Sequence, residues 1–390
     1  MDAESTPTLD PAVFARARAA LESGGALAAI DQLSADLRAA GDYQNLFYAL
    51  LMRKRVELGV APFPTGPSTD LPPESHDAYE DAIRTAGRHV GQLYLDQRDI
   101  PKAWAYFRML GEPEPVRRAL AEYQPGPDDD TYPVVEVAWQ HAVLPEKGFD
   151  IILDRHGVCS SITMVHAADF SQNPALREYC IKRLVRALHE QLAERVRNDL
   201  QSRGLSAPAT IPEMIRGRDE LFAENLYHID TSHLSSVVQM AMQLPRCPEL
   251  ELARELCEYG THLGSDIRGD NDPPFENTYA DYAKYLDVLA GVNVDAALLH
   301  FRDKLDGAAA EGYSFPAEVT VNLLLKADRV REALDVAKQY LATEDERRLN
   351  CPGVTELARR VGDYQTLAAA AEARSDPVTY LAGLIAGKKG

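Results

Sequence analysis

Two polar stretches of this 390-residue chain, residues 150–171 and 224–236, concentrate side chains capable of chemistry. The second contains His228-Ile229-Asp230-Thr231-Ser232-His233, two imidazoles and a carboxylate within six residues. These are the ligand types that hold zinc or ferrous iron. On one continuous helix of 3.6 residues per turn, His228 and His233 would point about 140° apart. They can face one point only if the backbone breaks between them, and Asp230, Thr231 or Ser232 acting as an N-cap would supply that break. The bland alternative is a capping Asp230 with two histidines satisfied by ordinary hydrogen bonds. The spacing also differs from the HExxH helix, whose histidines share one face.

The first stretch contains Asp154-Arg155-His156-Gly157-Val158-Cys159-Ser160-Ser161. Gly157 permits a tight turn, after which Cys159 would stand at a helix start. There the helix dipole and a neighbouring His156 would favour the thiolate and make Cys159 a candidate nucleophile. Gly157-Val158-Cys159 resembles the nucleophile segment of transglutaminase-like cysteine enzymes, without their downstream His and Asp context. A small buried apolar cysteine is the competing expectation. Glu258 and His262, four apart on an expected helix, can face the same point. Asp266, Asp270 and Asp272, and separately Asp128, Asp129 and Asp130, read as turn-forming residues, although carboxylate-rich loops can hold a hard cation.

The elements that must position these groups read as helices joined by short turns. Arg38-Ala39-Ala40-Gly41-Asp42-Tyr43-Gln44-Asn45-Leu46 closely matches Arg359-Arg360-Val361-Gly362-Asp363-Tyr364-Gln365-Thr366-Leu367. In both, Gly ends one helix and Asp caps the next. Related turns occur at 97–103, 290–296 and 327–333. The segments Tyr94-Leu95-Asp96-Gln97-Arg98-Asp99-Ile100-Pro101-Lys102-Ala103-Trp104-Ala105-Tyr106-Phe107 and Asn322-Leu323-Leu324-Leu325-Lys326-Ala327-Asp328-Arg329-Val330-Arg331-Glu332-Ala333-Leu334 resemble the middle of tetratricopeptide-like repeats. The resemblance covers roughly residues 10–125 and 275–387 and departs from the family in repeat length and in its small and aromatic positions. It implies an all-α fold, an α-solenoid of antiparallel hairpins with a non-repetitive centre, and a concave face that binds a peptide or protein. Three regions are expected: 1–125, 126–274 with the candidate site, and 275–390.

Between the arms, Val134–Ala138 and residues 149–153 have strand-like β-branched character, or start helices. Residues 174–205 form a long basic amphipathic helix in this reading, followed by helices from Pro212 toward Tyr227, over 231–244 and over 248–263. A Pro-rich loop spans 62–73, and a turn-rich one spans 269–274.

Composition narrows the function classes. Hydrophobic residues at 45% and charged residues at 26% describe an ordinary folded chain. No apolar run reaches the roughly 20 residues of a membrane span. The acidic opening Met1-Asp2-Ala3-Glu4-Ser5 lacks the features of a secretory signal, so a cytoplasmic location is expected. Five cysteines without a CxxC pair argue against a disulfide framework or a thiolate zinc site. A net charge of −19 argues against general nucleic-acid binding, and Arg183, Arg186, Arg195 and Arg197 read as a solvated helix face. No phosphate loop, GxSxG elbow or dinucleotide fingerprint occurs. The leading expectation is an interaction protein with a peptide or protein partner. The alternative is a hydrolase or lyase of a small-molecule substrate, with a divalent metal (Zn or Fe) on His228, Asp230 and His233 and with His156 or Cys159 beside it.

Overall fold

The computed structural model describes residues 10–63, 71–269 and 271–388. The opening residues 1–9, residues 64–70 of the Pro-rich loop, and Asp270 lie outside the described residues. Every regular element among the described residues is helical, and consecutive helices pack in pairs.

One turn design recurs at four of the places where a helix reverses into the next. At Gly41 the backbone turns left-handed (φ 73°), and the Asp42 N–H closes back on the Leu37 carbonyl at 2.9 Å. Asp42 then accepts the Asn45 N–H at 3.2 Å, so the residue that closes one helix also caps the next. Gly362 and Asp363 repeat this geometry: the Asp363 N–H reaches the Ala358 carbonyl at 2.9 Å, and its carboxylate accepts the Thr366 N–H at 3.0 Å. Arg98-Asp99 and Ser375-Asp376 do the same with non-glycine residues at φ 61° and 58°.

The chain forms two compact units, Met1–Arg155 and His156–Gly390. In the first, Ala12–Ala39, Tyr43–Glu57, His76–Asp96, Ile100–Leu110 and Glu114–Glu122 pack each against the next. Val90, Ala103, Phe107, Val116 and Leu120 fill their interior. The stretch read as strand-like at Val134–Ala138 is instead a short helix, Tyr132–Val135, running into a single wide turn at Glu136–Gln140. Residues 149–153 lie inside the helix Pro145–Ala167. Helix-opening Pro133 and Pro145, with burial of Val134, Val135, Ile151 and Ile152, override the β-branched preference.

The second unit is built first around a spine and then by pairing. The spine is Pro174–Ser202, which buries Leu176, Cys180, Leu184, Leu188, Leu192, Val196 and Leu200 at four-residue intervals. Such a stripe drifts about 40° per step, so the helix presents successive sides to different neighbours. Ile211–Ile215, Thr231–Ala241 and Glu249–Thr261 all pack on it. The helix expected from Pro212 toward Tyr227 stops at Ile215, and single turns at Asp219–Leu221 and Ala223–Asn225 follow. Arg216 leaves the helix at ψ 118° and Gly217 is left-handed at φ 66°, which ends it there. Beyond Thr278–Ala290, pairing of consecutive helices resumes with Phe315–Lys326, Val330–Tyr340, Val354–Val361, Tyr364–Ala373 and Pro377–Gly387.

The turn design predicts separable costs. Asp363→Ala removes a cap and should cost about 1 kcal/mol. Gly362→Ala forces a Cβ into the left-handed region and should cost about 1–2 kcal/mol. Urea unfolding midpoints read both, and no loss in either variant would remove the turn from the stabilising contacts.

Candidate functional site

The break expected between His228 and His233 is present. Asp230 is the N-cap of Thr231–Ala241, accepting the Ser232 N–H at 2.8 Å and the His233 N–H at 3.3 Å through Oδ1. The Ser232 hydroxyl donates to the same oxygen at 2.5 Å. That hydroxyl and the two backbone donors hold the Asp230 carboxyl below the usual carboxylate range. Capping thus occupies one oxygen of the proposed ligand.

His228 turns toward other partners. Its backbone N–H donates to the Tyr259 hydroxyl at 2.8 Å, so the phenol's own proton is left to donate to His228 Nδ1 at 3.0 Å. Nε2 then carries the ring proton and donates to Asp199 Oδ2 at 3.2 Å, the tautomer assigned from this bonding pattern. Arg203 pairs with Asp199 at 2.8 Å. The Arg203 bond and then the His228 bond keep the Asp199 carboxyl below its ordinary range. Arg195 is exposed, as expected of a solvated helix face, and its Nη1 also donates to the His228 carbonyl at 2.9 Å and so ties down this loop. Phe222 lies between two imidazoles, edge-on to His228 and stacked on His262 at a centroid distance of 5.1 Å.

An Asp–His–Tyr chain can move a proton, but Tyr259 is fully buried, and burial pushes its phenol up to about 12. Its physical effect here is to lock the irregular loop 222–230 onto the Pro174–Ser202 and Glu249–Thr261 helices. Nothing in the local sequence announces it, because Asp199 and Tyr259 lie 29 and 31 residues from His228.

His228 and Asp230 are therefore close in sequence but engaged separately, and His233 gives its backbone N–H to the Asp230 cap. Among the described residues, no group of three or more His, Cys, Asp or Glu is arranged to hold a metal ion. Gly157 breaks the helix Pro145–Ala167 at φ 78° and ψ −176°, as its position suggests. His156 is half-buried just before the break, and Cys159 is exposed just after it. Arg186 forms an ion pair with the buried Glu249. Asp129 accepts the Gly126 N–H at 2.7 Å, and Asp130 accepts the Tyr132 N–H at 3.1 Å, both as turn-forming residues.

Two clefts remain. In the second unit, a cleft of about 450 Å³ joins the two polar stretches of the sequence, through His166, Asp169 and Ser236 rather than the residues first nominated. Ser171, Arg177, Gln239 and Gln243 complete its polar lining. In the first unit, a larger cleft of about 890 Å³ lies where Leu95–Pro101 faces Ala119–Gln124 and residues 129–134. Its floor is apolar, with Ile100, Pro101 and Val134. Its rim carries Asp96, Asp99, Glu122, Asp129 and Asp130, with Arg98 among them and Lys102 paired to Asp99 at 3.1 Å. The acidic turn at 128–130 was visible in the sequence. Its pairing with the turn at 96–99 depends on tertiary packing.

Tyr259→Phe should cost about 1–3 kcal/mol at neutral pH, because the His228 N–H and Nδ1 lose a buried partner. An ordinary phenol ionises near 10, whereas Tyr259, Tyr285 and Tyr106 are held to about 12 by burial. Ionisation therefore favours the unfolded chain, and the stabilisation is complete below pH 10 and lost as pH rises toward 12. Urea midpoints should fall across that window, less steeply in Tyr259→Phe, and a flat profile would contradict the burial of these phenols. The chain matches no known protein-family model, no curated protein and no solved structure.

Proposed function

We propose that this chain is an interaction protein of tetratricopeptide-like helical hairpins that binds an extended segment of a partner protein in the cleft of its first unit. The observation that carries this reading is the pairing of an apolar floor with an acidic rim in one cleft of about 890 Å³. Such a lining fits a peptide that alternates apolar side chains with lysine or arginine. The apolar side chains gain from leaving water, and the cations gain from the rim carboxylates. Three local features support this reading. Asp99 is fixed as a helix cap, Asp129 and Asp130 are fixed by backbone N–H groups, and Ile100 is buried directly beside them. The carboxylates are therefore held in place before a ligand arrives, which lowers the entropy lost on binding.

Fluorescence anisotropy with a labelled peptide of alternating leucine and arginine tests this, with the matching leucine–glutamate peptide as control. The basic peptide should bind and weaken as salt rises. The double variant Asp96→Asn, Glu122→Gln, at two exposed rim positions, should reduce affinity by roughly 3- to 10-fold. Equal binding of the two peptides, or no change in the variant, would reject the cleft as the binding surface.

A further inference from the structure

The helix Pro377–Gly387 turns its small face inward and its large apolar side chains outward. Gly383 is the buried position, where a Cβ would stand 3.3 Å from both the Ala368 nitrogen and the Tyr364 carbonyl oxygen of the preceding helix. Meanwhile Val378 is 78% exposed, Leu381 56% and Ile385 51%. Ala382 is exposed beside them. Positions 378, 381, 382 and 385 follow the i, i+3, i+4, i+7 spacing by which one helix seats on another. Residues 1–9 and 64–70, outside the described set, offer only Met1 and Leu9 as large apolar side chains and are a poor chemical match for this stripe.

We propose that the stripe is the docking surface for a second copy of this chain, the two helices lying antiparallel about a two-fold axis between Leu381 and Ala382. Three features select a second copy. The stripe is complementary to itself in size: antiparallel pairing sets Leu381 against Ala382 of the partner subunit, large against small, and Val378 against Ile385 of the partner subunit. Its ends are complementary in charge, because Asp376 precedes the helix and Lys388 follows it. The same register brings each Asp376 beside the partner's Lys388 and opposes the two helix dipoles. Finally, Pro377–Gly387 contains no charged residue in a chain of net charge −19. Two such chains repel over most of their surface, and an uncharged face is where contact costs least.

Sedimentation velocity on the full chain tests this over about 1–100 µM, the range for a contact of a few side chains. Wild-type mass should rise from 43.0 kDa toward twice that value as concentration increases. Leu381→Glu should hold the mass at one chain throughout, a weakening of at least ~30-fold, with unchanged helical circular dichroism because the side chain is exposed. Leu381→Ala should weaken the dimer, and the swap Leu381→Ala with Ala382→Leu should restore it, since each position faces the other across the axis. A wild type that stays at one chain, including one that instead floats with anionic lipid vesicles, would overturn the proposal. So would a dimer that survives Leu381→Glu, or a swap that fails to rescue.

Discussion

The fold depends on a chain reversal made in very few residues. A helix ends with unsatisfied carbonyls, and the next begins with unsatisfied N–H groups. At Gly41-Asp42, Arg98-Asp99, Gly362-Asp363 and Ser375-Asp376 a single left-handed residue folds the chain back, and the following aspartate serves both ends. Its N–H satisfies the old helix and its carboxylate the new one. With no slack in the connection, consecutive helices must lie against one another, and pairwise packing follows. The acidic rim of the first cleft is partly a by-product, because Asp99 lines it and is also a cap.

That turn is also why so much of the fold was legible. Gly-Asp-Tyr-Gln recurs at 41–44 and 362–365, and local hydrogen bonding translates it directly into geometry. The Pro174–Ser202 spine was equally readable from its apolar spacing. The strand-like stretches were ambiguous, because short runs of valine and isoleucine serve a buried helix as well as a strand. Proline at Tyr132–Val135 and at Pro145–Ala167 resolves them toward helix. The early end of the helix at Ile215 was not legible, although Gly217 follows two residues later.

The polar stretches show how composition and geometry part. A helix break was legible somewhere in residues 230–232 and another at Gly157, and the breaks stand at Asp230 and Gly157. Where the side chains go was not legible, since His228 is claimed by Asp199 and Tyr259 across two helices. An irregular loop must satisfy its own polar groups, and here a histidine with two ring nitrogens spans two helices at once. The same clustering that suggests catalysis therefore also serves a loop that needs anchoring. Residues of that stretch do reach a cleft, through Ser236, and His166 joins it from the other.

Charge gives the two proposed contacts opposite behaviours. Binding of a basic segment at the Asp96–Asp130 rim gains from attraction, so added salt screens it and weakens it. Pairing through Pro377–Gly387 is an apolar contact opposed by the repulsion between two chains of −19, so salt relieves the opposition. The Asp376–Lys388 ends pull the other way, but they are exposed pairs worth little against the whole-chain term. Raising salt from about 0.05 M to about 0.5 M, which shortens the screening length severalfold, should therefore strengthen self-association while it loosens the partner peptide. A dimer that dissociated in salt would instead be held by charged groups, and the uncharged C-terminal helix would not be its interface.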